Sequence, residues 1–143
     1  MRKYWELILG IAVILIVALI VFWAPEKGPA YAPVDVGGGS ISVTDQPASD
    51  SVVLNAELAA PGFITVHSAI GDAPGPIIGV SDYLPVGKYD NLQIPLSESL
   101  RPNFRYITLL HADNGDQVFV IDDDLPVMVD GAVVRPDFTA LPN

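Results

Sequence analysis

The chain opens with an unbroken apolar run, and beyond it the apolar positions recur with a period of two. From Leu7 to Ala24 no residue is charged, and Leu, Ile, Val and Phe dominate up to Trp23. At about 1.5 Å of rise per residue, a helix over that run covers roughly 27 Å, enough to cross the hydrocarbon of a bilayer. The summed transfer preference of its apolar side chains is about −4 to −8 kcal/mol, so insertion is favoured. Its hydrophobicity on all sides leaves no polar face to turn towards water, unlike a surface helix of a soluble domain.

Leu7, Ile14, Phe22 and Trp23 therefore mark a predicted membrane-spanning segment. Tyr4, Trp5 and Trp23 stand at interface depth, so residues 4–24 are expected to contact the lipid bilayer. Arg2 and Lys3 keep the N-terminus cytoplasmic and send the C-terminal part outside. The competing reading is a cleaved signal peptide with its site at Ala30-Tyr31-Ala32. The apolar run exceeds the usual length for that, and Pro33 directly after the site opposes cleavage, so an uncleaved signal anchor is preferred.

Residues 25–39 hold Pro25, Pro29, Pro33 and the triplet Gly37-Gly38-Gly39, a composition expected of a stalk. After it, Val52, Leu54, Ala56 and Leu58 oppose Ser51, Val53, Asn55 and Glu57. Leu92, Ile94 and Leu96 likewise oppose Asn91, Gln93 and Pro95. Such alternation predicts half-buried strands, and the outward Pro95 predicts a sheet edge. Phe63–Ser68 and Phe104–Ala112 are apolar on both faces, as central strands covered on each side would be. Asn114-Gly115 predicts a hairpin linking the strand that ends at Ala112 to Gln117–Ile121. Asp130-Gly131 predicts a second, linking Val127–Val129 to Ala132–Val134. All 13 prolines lie beyond Ala24, which excludes long helices there.

The expected fold is thus all-β, an antiparallel immunoglobulin-like β-sandwich of seven to nine strands preceded by one transmembrane helix. Its expected organisation is a cytoplasmic tip and anchor over 1–24, a stalk over 25–39, and one extracytoplasmic domain over 40–143.

Composition sharpens this. The chain of 143 residues is 50% hydrophobic yet carries a net charge of −10, a combination explained by the concentration of apolar residues at the N-terminus. Of its 7 basic and 17 acidic residues, four basic and fifteen acidic fall between Asp35 and Asp137, a net of −11 for the outer part. That field repels nucleic-acid phosphate and attracts cations, which argues against a nucleic-acid partner. With no cysteine there is neither a disulfide framework nor a thiolate nucleophile or metal ligand.

Several segments in order then resemble a known domain. They are Pro61-Gly62-Phe63-Ile64-Thr65-Val66-His67, Gly75-Pro76-Ile77-Ile78-Gly79-Val80-Ser81, Leu84-Pro85-Val86-Gly87, Leu110-His111-Ala112-Asp113-Asn114-Gly115 and Pro126-Val127-Met128-Val129-Asp130-Gly131. Together they resemble a domain of unknown function found on cell-surface and secreted proteins of halophilic archaea and some other prokaryotes. The match runs from about Val52 to Phe138, and it implies the sandwich and an exterior location. The chain departs from that pattern at Ser68, where the family has an acidic residue, and at Val118-Phe119-Val120.

Candidate chemistry is sparse. His67 and His111 are the only histidines, each ending a predicted strand. If those strands are neighbours, two imidazoles with Asp113 or Asp116 form a possible transition-metal set, against the ordinary role of donating an N–H to a loop carbonyl. Asp122, Asp123 and Asp124, with Asp113 and Asp116, form a candidate calcium cluster whose spacing fits no EF-hand. The alternative is a solvated acidic loop. Tyr83 and Tyr89, in loops around Pro85 and Gly87, are candidates for a ligand platform, against plain packing. No nucleophile elbow is present, and Ser68 points to the opposite face of a strand from His67, so no catalytic residue is assigned.

These features describe a membrane-anchored, noncatalytic cell-surface module, not an enzyme, with no resident cofactor required. Its expected partners are the bilayer and a neighbouring surface protein or polymer. The alternative is an extracytoplasmic cation- or small-ligand-binding domain using the acidic loops, with calcium or a transition metal bound.

Overall fold

The computed structural model describes residues 33–143, so the predicted membrane-spanning segment and residues 25–32 of the predicted stalk lie outside the described residues. Strand formation follows the period-two pattern closely. In Ser51–Leu58 the even positions Val52, Leu54, Ala56 and Leu58 are buried, and Val53, Asn55 and Glu57 are exposed.

Nine strands form in all among the described residues. They are β1 (Val34–Asp35), β2 (Gly39–Val43), β3 (Gln46–Pro47), β4 (Ser51–Leu58), β5 (Gly62–Ile70), β6 (Ala73–Val80), β7 (Gly87–Pro95), β8 (Arg105–Ala112) and β9 (Asp137–Leu141). One sheet has the order β1-β2-β4-β7 and the other β3-β9-β8-β5-β6. Pairing is antiparallel except for β3 with β9, where Gln46 faces Ala140 and Pro47 faces Leu141 in parallel.

The two sheets share one apolar core. Ile41, Val52, Leu54 and Ile94 from the first meet Ile64, Val66, Leu110 and Phe138 from the second. β5 and β8 lie in the middle of their sheet, as their two apolar faces require, and β7 with Pro95 is an edge. β7 pairs with β4 through a bulge between Leu54 and Ala56, where Asn91 adopts φ 55° and its N–H donates to Asn55 Oδ1 at 2.7 Å. Beyond Pro95 the chain closes the gap to β6, the N–H of Ser97 donating to the Ile78 carbonyl at 2.7 Å.

Two expectations are corrected. The glycine triplet is not stalk: Val34–Asp35 pair with β2, and Val36 is buried in the core. Gly39 has φ 148°, and a Cβ there would lie 2.0 Å from the Glu57 carbonyl oxygen, so this glycine permits two strands to approach. The folded part therefore begins before residue 40.

The hairpin at Asn114-Gly115 also does not form, and Gln117–Ile121 is not a strand. Side chains there capture the backbone donors that a ladder needs. Asp113 Oδ1 accepts from the Gln117 N–H at 2.9 Å, Asn114 Oδ1 from Asp116 at 3.0 Å, and Asp116 Oδ1 from Val118 at 2.9 Å. The chain pairs with the end of β8 only later, the Val127 N–H donating to Leu110 and the Ala112 N–H to the Leu125 carbonyl. Asp130-Gly131 does make the expected tight turn, with φ 50° and 81°, but it joins only the single bridge Val129–Ala132.

Candidate functional site

The candidate site lies on the outer face of the second sheet. Because Phe63 pairs with His111, Thr65 with Leu109 and His67 with Ile107, these six side chains share that face at the centre of the sheet. All are buried, and the loop from Asp113 to Pro136 folds back over the end of the face nearest His111.

The two histidines are brought together as a neighbouring-strand reading requires. Their rings lie parallel, 6.4 Å between centroids. Each is tied by its Nδ1 to a backbone carbonyl: His67 to Gly75 at 2.8 Å and His111 to Asp124 at 2.7 Å. A carbonyl only accepts, so both Nδ1 atoms carry hydrogen, and in the neutral ring Nε2 is the acceptor. His67 Nε2 meets Thr65 Oγ1 at 2.9 Å, whereas the buried His111 Nε2 has no hydrogen-bond partner. Burial pushes the His111 imidazole below its ordinary range, the bond to the Asp124 carbonyl opposes this, and the neighbouring His67 adds to it.

Among the described residues, no three histidine, aspartate or glutamate side chains converge as metal ligands. The acidic residues near His111 are committed elsewhere. Asp124 is fully buried, its Oδ1 accepting from the Asn114 N–H at 3.0 Å and its Oδ2 from the Val120 N–H at 2.7 Å. Asp113 and Asp116 hold the loop backbone, while Asp122 and Asp123 are exposed on its surface.

Thr65 and His67 have the connectivity of a hydroxyl nucleophile and its base, but Thr65 is 0% exposed, so a substrate has no path to its oxygen. Ser68 lies on the opposite face from His67, beside Tyr106. Tyr83 packs edge-on to Phe63 with centroids 5.9 Å apart, and Tyr89 packs on the core with its hydroxyl donating to the Pro85 carbonyl at 2.7 Å. Each ring is half-buried.

Phe119, noted in the sequence only within the departure Val118-Phe119-Val120, has a role that the sequence did not disclose. It meets Phe63 at 5.5 Å and His111 at 5.3 Å, both edge-on, and so pins the loop to the sheet. Its signal was its place as the one aromatic ring within an otherwise acidic, aliphatic loop. With that pin below, the loop turns other apolar side chains outward: Val118 is 60% exposed, Ile121 47%, Leu125 65% and Met128 58%.

The described residues thus form a two-sheet β domain whose most elaborate feature is a clamped, acidic, apolar-tipped loop. The chain belongs to the family described as Domain of unknown function (DUF7282), whose model matches residues 39–140. It is 36% identical over 114 residues to Cell surface glycoprotein 2 of Haloarcula hispanica, an alignment covering 78% of this chain and 12% of the relative. It is 30% identical over 114 residues to Cell surface glycoprotein 1 of the same organism, again covering 78% and 12%. The matched part of the chain therefore spans about one eighth of the length of these relatives, at 12% of each. No solved structure matches the chain significantly.

Proposed function

We propose that this protein is a noncatalytic cell-surface interaction module, anchored by residues 4–24 with its β domain outside the membrane, which presents the 113–131 loop to a neighbouring surface protein. One observation carries the reading: a loop fixed from below by Asp124, His111 and Phe119 that still exposes Val118, Ile121, Leu125 and Met128. Rigid exposed apolar groups mark contact surfaces, since water gains when they are covered and little ordering entropy opposes it. The resemblance to surface glycoproteins supports the location. The apolar N-terminal run and its flanking Arg2 and Lys3 support the single-pass topology.

An immunoglobulin-like assignment is favoured by the strand order. β2, β4 and β7 correspond to A, B and E, and β9, β8 and β5 to G, F and C, with the intervening β6 lying beside β5. Proximity labelling from the intact cell surface tests the functional reading. The full chain should recover a reproducible surface protein, and the double change Val118→Ser with Leu125→Ser should lose it. Equal recovery by that variant, or turnover of a glycan or peptide, would overturn it.

A further inference from the structure

A different part of the domain, at the opposite end of β5 and β8 from that loop, gathers nearly all of its positive charge. Of the four basic residues described, Arg101, Arg105 and Arg135 line two clefts that meet at Arg105. One, of about 320 Å³, lies between Asp72, Arg105, Arg135 and Asp137 over Ile107. The other, of about 240 Å³, lies between Glu98, Arg101, Phe104, Arg105 and Tyr106.

Arg105 is a fixed strut between them. Its Nη2 contacts Asp72 Oδ1 at 2.7 Å and the Gly71 carbonyl, and its Nη1 lies 3.5 Å from Asp137 Oδ2. The Arg105 side chain is 37% exposed and those of Asp72 and Asp137 93% and 50%, so all three planar groups are reachable from solvent.

Two features are not explained by folding. Phe104 is 55% exposed on a turn held at both ends, its N–H donating to Arg101 and its carbonyl accepting from the Ala140 N–H. The Arg101 guanidinium lies over the ring, 5.9 Å from its centroid. Arg135, exposed, makes no ion pair among the described residues. Three guanidinium groups against Asp72, Glu98 and Asp137 leave this region neutral within a strongly acidic domain. An anion is least repelled here.

We propose that the paired clefts bind an acidic saccharide of at least two rings, Phe104 stacking on the C–H face of one ring and Arg135 pairing with the carboxylate of the other. Arg105, Asp72 and Asp137 exchange hydrogen bonds with hydroxyls between them. An exposed aromatic ring beside planar charged groups is the chemistry a pyranose needs, an apolar face bordered by hydroxyls. A free cation a cleft away selects the charged sugar over the neutral one. The proposal goes beyond the loop reading and involves none of the residues 113–131 that reading presents to a partner.

Calorimetric titration of the full-length chain in detergent tests it, with tetragalacturonate, a neutral galactose tetramer, a sulfated galactose tetramer and tetraglutamate as probes. Tetragalacturonate should bind, and the neutral sugar and tetraglutamate at least tenfold more weakly. Phe104→Ala and Arg135→Ala should each weaken the uronate at least tenfold with unchanged melting temperature, and Val118→Ser should leave it unaltered. No uronate binding, equal binding of tetraglutamate, or indifference to both cleft variants would overturn the proposal. Equal binding of the neutral sugar would overturn the role of Arg135. A sulfated sugar bound in preference to the uronate would overturn the carboxylate as the recognised group.

Discussion

His111 donates from Nδ1 to the backbone carbonyl of Asp124 at 2.7 Å, and both residues are completely excluded from solvent. The histidine is on a central strand and the aspartate is in the covering loop, so this bond joins the sheet to the feature it carries. The Asp124 carboxylate in turn accepts from the N–H groups of Asn114 and Val120. One residue therefore links the loop to the sheet through its main chain and organises the loop through its side chain.

Removing that carboxylate should be costly. Asp124→Ala leaves two backbone donors without their charged acceptor, and a loss of about 2–4 kcal/mol in unfolding free energy is expected. Asp124→Asn, which keeps one oxygen, should lose about half as much. Urea denaturation of the two variants checks this; equal and negligible losses would mean the loop is held by other contacts.

Acidification should weaken the domain through His111. Because burial lowers its folded pKa, the unfolded chain takes up the proton first as pH falls. The contribution is intact above the unfolded value, about 6.5, and is lost as pH drops from there towards the lower folded value. The slope for one proton is at most about 1.4 kcal/mol per pH unit. His111→Gln, which can still donate to Asp124 but does not titrate, should flatten the profile of melting temperature between pH 7 and 5.

Gly39 separates a stalk from a fold. Were it in a free linker, Gly39→Ala would be neutral or slightly stabilising. With φ 148° and the Glu57 carbonyl oxygen 2.0 Å from the new methyl, it should instead cost about 3 kcal/mol or more. Thermal melting of the variant decides between them.

Calcium, zinc or copper at millimolar concentration should move the melting midpoint by less than about 1 °C, because Asp113, Asp116 and Asp124 already accept from backbone N–H groups. A native-state site occupied at a hundredfold excess over its dissociation constant would add about 2.7 kcal/mol and shift the midpoint by several degrees. A chelator-reversible shift of that size would restore the cation-binding alternative.

What the sequence determined by itself was whatever depends on local periodicity. Alternation at Val52–Leu58 made β4 and its inward face legible, because side-chain direction in a strand is fixed by position. Doubly apolar stretches disclosed the central strands β5 and β8, but that they are neighbours, and with them His67 and His111, came only from the fold. Pro95 marked the edge because it cannot donate to a ladder.

Only the tertiary structure decided which polar groups were spent on the fold. Asp113, Asp116 and Asp124 look like free carboxylates in one dimension, and Asn114-Gly115 looks like a hairpin turn. In three dimensions the first three, together with Asn114 Oδ1, take up the N–H groups that a returning strand would have used. The glycine triplet reads as linker until Glu57 is placed against Gly39. Arg101, Phe104, Arg105 and Arg135 line two adjoining clefts only because β8, β9 and the β5–β6 turn come together. A hydrogen bond or a close approach across the chain is set by which surfaces meet, and no periodic pattern along the sequence encodes that meeting.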